Sequence, residues 1–280
     1  MQKAILIVFT FFSLYTLAQL PILDELTYKT SSGPEVSENG TPELRKLKQK
    51  AFKPGEVLEY VVHYGLLDAG VARVELRDEG KKIAGRKIYH IIGTGVTKGA
   101  FDWFYKVRDR YETFIDSEGI FPWLFVRRVD EGGYKINQDY KFLQYKNRVD
   151  VGNGKVFDSP DYVQDMISAI YFARTLDLSK IKHGDVITID AFVDNEVWPA
   201  KIRYVGTETI SIRSGKYNCL KFNPVVQQGR IFKQESDMSV FITNDENKIP
   251  ILAEAKVLVG SLKMELTYYE GIANPIAKVK

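Results

Sequence analysis

The sequence predicts a mainly β protein: an antiparallel β-sandwich or incomplete barrel made of two related meanders, with one bridging helix at about residues 160–176. Three observations carry this. From Glu56 onward, apolar and polar side chains alternate with period two. Turns rich in Gly, Asn and Asp separate the alternating runs. One segment near the middle of the chain changes to helical spacing.

The chain begins as an export signal. Lys3 is followed by an apolar run, Ala4 to Leu17, interrupted only by Thr10, Ser13 and Thr16. Thr16-Leu17-Ala18 supplies a small residue for cleavage after position 18, and the run is short for a bilayer span. Residues 1–18 are therefore read as a signal peptide, and no later stretch is long and apolar enough for a transmembrane segment. Residues 19–50 read as a linker: Ser31-Ser32-Gly33-Pro34 and Glu38-Asn39-Gly40-Thr41-Pro42 are turn chemistry with little to bury. The basic run Arg45 to Lys50 has no amphipathic face and is expected to be a solvated lead-in.

Cys219 is the single cysteine, so no intramolecular disulfide staples the fold and its core must hold it. With 45% hydrophobic and 12% aromatic residues, a core of ordinary size is available. A net charge of +3 gives no reason to expect a nucleic-acid partner.

Leu58, Tyr60, Val62 and Tyr64 alternate with more polar neighbours, as do Leu262, Met264, Leu266 and Tyr268. Glu131-Gly132-Gly133, Gly152-Asn153-Gly154, Arg213-Ser214-Gly215 and Asn244 to Asn247 mark turns. Ser159-Pro160-Asp161 has the composition of a helix start, and Val163, Met166, Ile167, Ile170 and Tyr171 follow at helical spacing. Around this helix (159–180) the chain divides into a first β half, 51–158, and a second, 181–274. Gly55 and Gly184, Gly85 and Gly215, and Pro122 and Pro250 recur in order at offsets of 129, 130 and 128 residues. This near-constant spacing predicts that the halves are copies of one strand-turn unit within a single composite domain.

Catalytic and metal motifs are scarce. His63, His90 and His183 are separated and lack the tight ligand spacing of a zinc site, so neither metal nor cofactor is expected. His90 reads as a core or cross-strand histidine and Cys219 as a small buried hydrophobe. No serine has the glycines of a nucleophile elbow, and Gly93-Thr94-Gly95 meets its next glycine too late for a dinucleotide fingerprint. No catalytic residue is assigned, and the enzyme question leans towards no. Trp103, Tyr105, Tyr111, Trp123 and Trp198 are the candidate lining of an apolar cavity. Strand alternation turns Asp109 onto the face of Tyr105, Val107 and Tyr111, where a carboxylate needs a partner; Arg174 is the candidate, as a buried ion pair.

Three groups of residues carry a resemblance. The first is Phe52-Lys53-Pro54-Gly55-Glu56-Val57-Leu58-Glu59-Tyr60 with Tyr64-Gly65 and Ala69-Gly70-Val71-Ala72. The second is Val107-Arg108-Asp109-Arg110-Tyr111-Glu112-Thr113 with Pro122 and Glu131-Gly132, and the third runs from Asp165 to Arg174. In order and spacing they resemble an exported bacterial domain-of-unknown-function family, number 3108, and Bacteroidetes-like members in particular. The resemblance spans roughly residues 50–270 and implies a β-rich protein of the periplasm or outer cell envelope of a Gram-negative bacterium; it brings no catalytic residues, none being established for the family. The leading expectation is non-enzymatic binding of a lipid or other apolar, envelope-derived ligand. One alternative is a structural or assembly partner in the envelope, which would expose an apolar patch. The other is a glycan hydrolase, which would need two carboxyl groups in an open cleft.

Overall fold

The computed structural model describes residues 27–28, 35–36, 42–225, 237–256 and 260–279. The leader, its cleavage site and most of the linker lie outside the described residues. Alternation produces the strands it predicts. The first half runs β4 (Val57–Tyr64), β5 (Leu67–Arg77), β6 (Lys82–Ile83), β7 (Arg86–Thr97), β8 (Arg108–Asp116), β9 (Pro122–Glu131) and β10 (Tyr134–Leu143). Short strands β11 (Arg148–Asp150) and β12 (Val156–Asp158) follow. The second half runs β13 (Val186–Val193), β14 (Glu196–Ile212), β15 (Gly215–Pro224), β16 (Met238–Thr243), β17 (Pro250–Lys256) and β18 (Ser261–Glu270). Ahead of these lie the two-residue strands β1 (Thr27–Tyr28), β2 (Glu35–Val36) and β3 (Pro42–Glu43).

Nearly all the strands join one 16-stranded sheet in which consecutive strands are antiparallel neighbours. The last strand returns to the first of the main body: β18 pairs with β4, Leu262 opposite Tyr64 and Glu270 opposite Val57. The sheet curls round but does not close, because no strand-to-strand ladder joins β10–β12 to β13. Residues 162–166 occupy that seam. Gln164 bridges to Ala191 in parallel, its N–H donating to the Asp190 carbonyl at 2.9 Å and its carbonyl accepting from Phe192 at 2.7 Å. Its side-chain amide donates to the carbonyls of Tyr162 and Ile120 on the other flank.

The helix behind the seam is shorter than the sequence suggests. It spans Ser168–Thr175, not 160–176. Tyr162 has φ +55°, which ends any helix begun at Pro160, and Gln164 is committed to the sheet. The stronger start signal is Asp165: its carboxylate accepts from the N–H groups of Ile167 and Ser168, while the Ser168 hydroxyl accepts from the Asp165 N–H. This is the reciprocal pattern of a capping box, with serine in the third place. We call this helix α2; a six-residue helix, α1 (Gly99–Phe104), which alternation did not foretell, joins β7 to β8.

The core has two main parts. The larger spans both halves and gathers Phe52, Ile91, Tyr111, Phe125 and Phe142 of the first with Phe192 and Phe222 of the second, and Ile167 and Phe172 at the helix between them. Burying each such side chain contributes roughly 1.5–3 kcal/mol. The smaller gathers Leu58, Tyr60, Tyr217, Cys219, Ile249 and Leu266. Cys219 is buried as expected, and burial pushes its thiol up to about 12. The basic lead-in is not solvated throughout. Leu44 is buried, and the Arg45 guanidinium lies between the rings of Tyr162 and Phe172 at 4.4 and 4.5 Å, donating to the carbonyls of Gly119 and Ile120. A planar cation can stack this way, and a sequence scan for amphipathic faces does not detect it.

Corresponding turns of the two halves make the same hydrogen bonds. Gly55 (φ +94°) donates to Leu76, whose N–H donates back to Glu56. Gly184 (φ +93°) donates to Tyr204, whose N–H donates back to Asp185. Likewise the Asp116 carboxylate accepts from the N–H groups of Glu118 and Gly119, and that of Asp245 accepts from Asn247 and Lys248.

Candidate functional site

In a meander, successive connections alternate between the two ends. The β4–β5, β7–β8 and β9–β10 connections therefore share one end of the curled sheet. Gly65 (φ +60°) and Leu66 form a two-residue loop closed by the pair Tyr64 and Leu67. Glycine first in such a loop suits a type II′ turn, and the turn carries Leu66 out at 101% exposure. Helix α1 lies beside it: the Lys98 N–H donates to the Ala69 carbonyl, and the Phe101 ring meets the Tyr64 ring edge-on at 6.4 Å. Phe101 thus anchors the short helix, while Trp103 stands out at 91% exposure with Phe104 and Leu67 also exposed. Tyr134 is exposed on the adjoining β9–β10 turn. Single exposed apolar residues need no explanation, but five large ones gathered at one end do.

Beneath this rim lies a buried polar cluster. Asp109 of β8 and Glu131 of β9 are 4% and 3% exposed. Burial pushes both carboxyl groups above the usual carboxylate range, and the Asp109 carboxylate drives Glu131 further up. Asp109 accepts from the Asp130 N–H at 3.2 Å. Arg127, equally buried, donates to Asp194 at 2.9 Å and faces the Tyr111 ring at 5.8 Å. Asp194 and Asn195, both with positive φ, form the β13–β14 turn and also bond Gln138 and Tyr140, so this turn straps the open seam. The cluster is tied to the rim through Tyr105, whose ring lies where a Cβ on Gly132 would stand, and through the Gly132 N–H, which donates to the Lys106 carbonyl.

The expected cavity residues are dispersed. Trp103 is on the surface, Tyr111 is in the larger core, and Trp123 is buried at the far end of β9 with Phe121 and Tyr162. Tyr105 and Trp198 are half-buried, the latter on β14 opposite Ala191. Asp109 is buried on the predicted face, and Arg174 is buried too, but the two do not pair. Arg174 holds Glu56 at 2.6 and 2.7 Å, donates to the carbonyls of Ala51 and Asn247, and shares Glu56 with the Tyr171 hydroxyl. The partner of Asp109 is Glu131, a second acid that charge-pairing logic does not select. The only signal for it in the sequence was Glu131-Gly132 beside a strand end.

His63 and His90 repeat one arrangement. His63 sits between Asp68 (2.9 Å) and Glu265 (3.1 Å), both also bound by Arg213. His90 sits between Glu79 (2.8 Å) and Glu112 (2.7 Å) and stacks on Phe114 at 4.1 Å. The cations already engaged there are those of structural cross-strand networks, and among the described residues no group of His, Cys, Asp and Glu is arranged to hold a metal ion.

The segments that shape these features are also those that identify the chain. A family model described as "Protein of unknown function (DUF3108)" matches residues 59–267. The chain belongs to this DUF3108 family. The match covers β4 to β18 and so takes in the acid pair, α1, the seam and Arg174. No curated protein matches the sequence. Among solved structures, the DUF3108 chain resembles a β-barrel-like protein of a domain of unknown function, DUF1849, from Brucella abortus. The TM-score is 0.51 at 11% identity, over 78% of this chain and 98% of that one, a likeness of fold alone. It also matches an exported protein, so described, with a YmcC-like fold from Bacteroides fragilis (TM-score 0.29, 14% identity, 79% and 99% coverage). A third match is to a protein described as a lipoprotein from Parabacteroides distasonis (TM-score 0.33, 8% identity, 80% and 99% coverage). Among the described residues, no helix is long and apolar enough to cross a membrane.

Proposed function

We propose that this DUF3108 protein is an exported binding protein of the Gram-negative envelope, and that it engages apolar envelope material with its rim in place of an enclosed cavity. The observation that carries this reading is the contrast between the two places. The interior holds a core of packed side chains from both halves, whereas Leu66 and Trp103 stand almost fully exposed at one end. Two hairpin connections and a helix with no buried residue of its own hold them there, which is a costly arrangement for a surface that only meets water. The acid pair below is too deeply buried to offer a sugar chain the open cleft that glycoside hydrolysis requires.

A photo-crosslinking amino acid at position 103, with position 268 on the exposed part of β18 as control, tests this in intact cells. Crosslinks to lipid or to an envelope protein from position 103 alone are expected. Equal yields from the two positions would remove the rim as the binding face.

A further inference from the structure

Charge at the rim narrows the class of partner. Of the acids near it, Asp68 is bound by Arg213 at 2.7 Å, Asp102 by Arg108 at 2.7 Å and Asp130 by Lys135 at 3.5 Å. Glu131 is buried beneath the rim with Asp109 and is not presented on its surface. The lysines flanking α1 differ. Lys98 and Lys106 are both exposed, and neither has an ion-pair partner among the described residues. They stand one on each side of Phe101-Asp102-Trp103-Phe104-Tyr105. The rim therefore combines exposed aromatic and aliphatic side chains with two exposed lysines that no salt bridge among the described residues holds, Lys106 also feeling the nearby Asp102 carboxylate.

We infer that this end of the sheet docks on an anionic lipid bilayer surface. The inference rests on the rim being the binding face and adds the partner's chemistry. Trp103, Phe104, Leu66 and Leu67 enter the boundary between headgroups and acyl chains, where an amphipathic ring such as indole is favoured. Lys98 and Lys106 remain at headgroup level and meet lipid phosphates. Neither signal suffices alone, because stable peripheral attachment needs an apolar insertion together with a basic contact. A protein partner would be expected to offer carboxylates to the lysines as well, and it is the competing outcome of the test.

The full exported chain is mixed with vesicles of phosphatidylcholine alone or with about 30% phosphatidylglycerol, and sedimented. Binding to the anionic vesicles is expected, with a blue shift of tryptophan emission and quenching by lipids brominated in the acyl chain, both lost in Trp103→Ala, which keeps Trp123 and Trp198. Trp103→Ala should weaken binding at least tenfold, from the lost apolar area. Lys98→Glu and Lys106→Glu should each weaken it roughly fivefold or more. All three side chains are exposed, so far-ultraviolet circular dichroism and the urea midpoint should be unchanged. Equal binding to both vesicle types would overturn anionic docking and leave an apolar-surface binder. Absence of vesicle binding, together with crosslinks from position 103 to one envelope protein, would overturn the lipid assignment alone. Absence of both would overturn the rim as a site.

Discussion

Arg174 and Glu56 form a two-point ion pair at 2.6 and 2.7 Å in the interior, although 118 residues separate them in sequence. Glu56 belongs to the turn that opens β4, and Arg174 to the last turn of α2. The remaining Arg174 donors reach Ala51 in the lead-in and Asn247 in the β16–β17 loop. The guanidinium lies 5.3 and 5.0 Å from the Phe52 and Tyr171 rings. One side chain thus joins the start of the first half, the helix at the seam and a loop of the second half.

Removing one partner should therefore be severe. Glu56→Ala or Arg174→Ala is expected to cost about 3–5 kcal/mol, because each leaves the other charge buried and uncompensated. Replacing both by leucine should cost much less than the sum. Urea denaturation of the four proteins measures the coupling, and additive losses would show that the pair is not a unit.

The acid pair makes stability depend on pH in a fixed direction. Folding raises the affinity of Asp109 and Glu131 for protons, so the folded state binds more protons than the unfolded one above the ordinary carboxylate range. Stability from this source is complete below that range and is lost as pH rises through the raised values. Asp165, pushed up to about 6 by complete burial, adds to the same slope. Glu131→Gln should flatten the fall in urea midpoint between weakly acidic and weakly alkaline pH without abolishing it. An unchanged slope would mean that the pair does not titrate.

We read the two halves as copies of one strand-turn unit, on the matched bonding of their turns. An added Cβ at Gly55 or Gly184 meets nothing within 4 Å, so an alanine there costs backbone strain only, roughly 1–2 kcal/mol in each case. Gly271 is a contrasting case: its added Cβ would stand 2.0 Å from the Gly55 carbonyl oxygen. Gly271→Ala should destabilise more than either of the others, as thermal unfolding would show, and unequal losses at Gly55 and Gly184 would count against equivalent turns.

At Arg45 shape matters as well as charge. Arg45→Lys keeps a cation but loses the plane stacked between Tyr162 and Phe172 and the fork that holds Gly119 and Ile120. A loss of about 1–2 kcal/mol and faster amide exchange around Leu47 are expected, against little change for Lys46→Ala on the exposed side.

Strands were legible in the sequence because a period of two is imposed locally by the pleat. The burial of Asp109 followed from the phase of a single strand. What escaped notice depended on distance or on the absence of any period. Glu56 lies on a turn, where no alternation reveals its direction, whereas the strand phase of Asp109 makes it the acid that the sequence offers to Arg174. The β14 strand bends at a bulge after Tyr204, beside Gly206 (φ +145°), which lets its far hairpin reach Asp68. Helix α1 is six residues long with no side-chain cap, too brief for helical spacing to register. Its aromatic content was visible, and its exposure was not.

The pairing of β18 with β4 also governs the order in which the fold is completed. During synthesis the chain emerges from its N-terminal end, and β4 can take its neighbour β5 at once. Its other edge stays open until residues 261–270 arrive, some 200 residues later. A chain truncated before Ser261 would present that edge of unpaired amides to any passing strand, the usual template for aggregation. Completion of the sheet is thus tied to the arrival of the C-terminal strand.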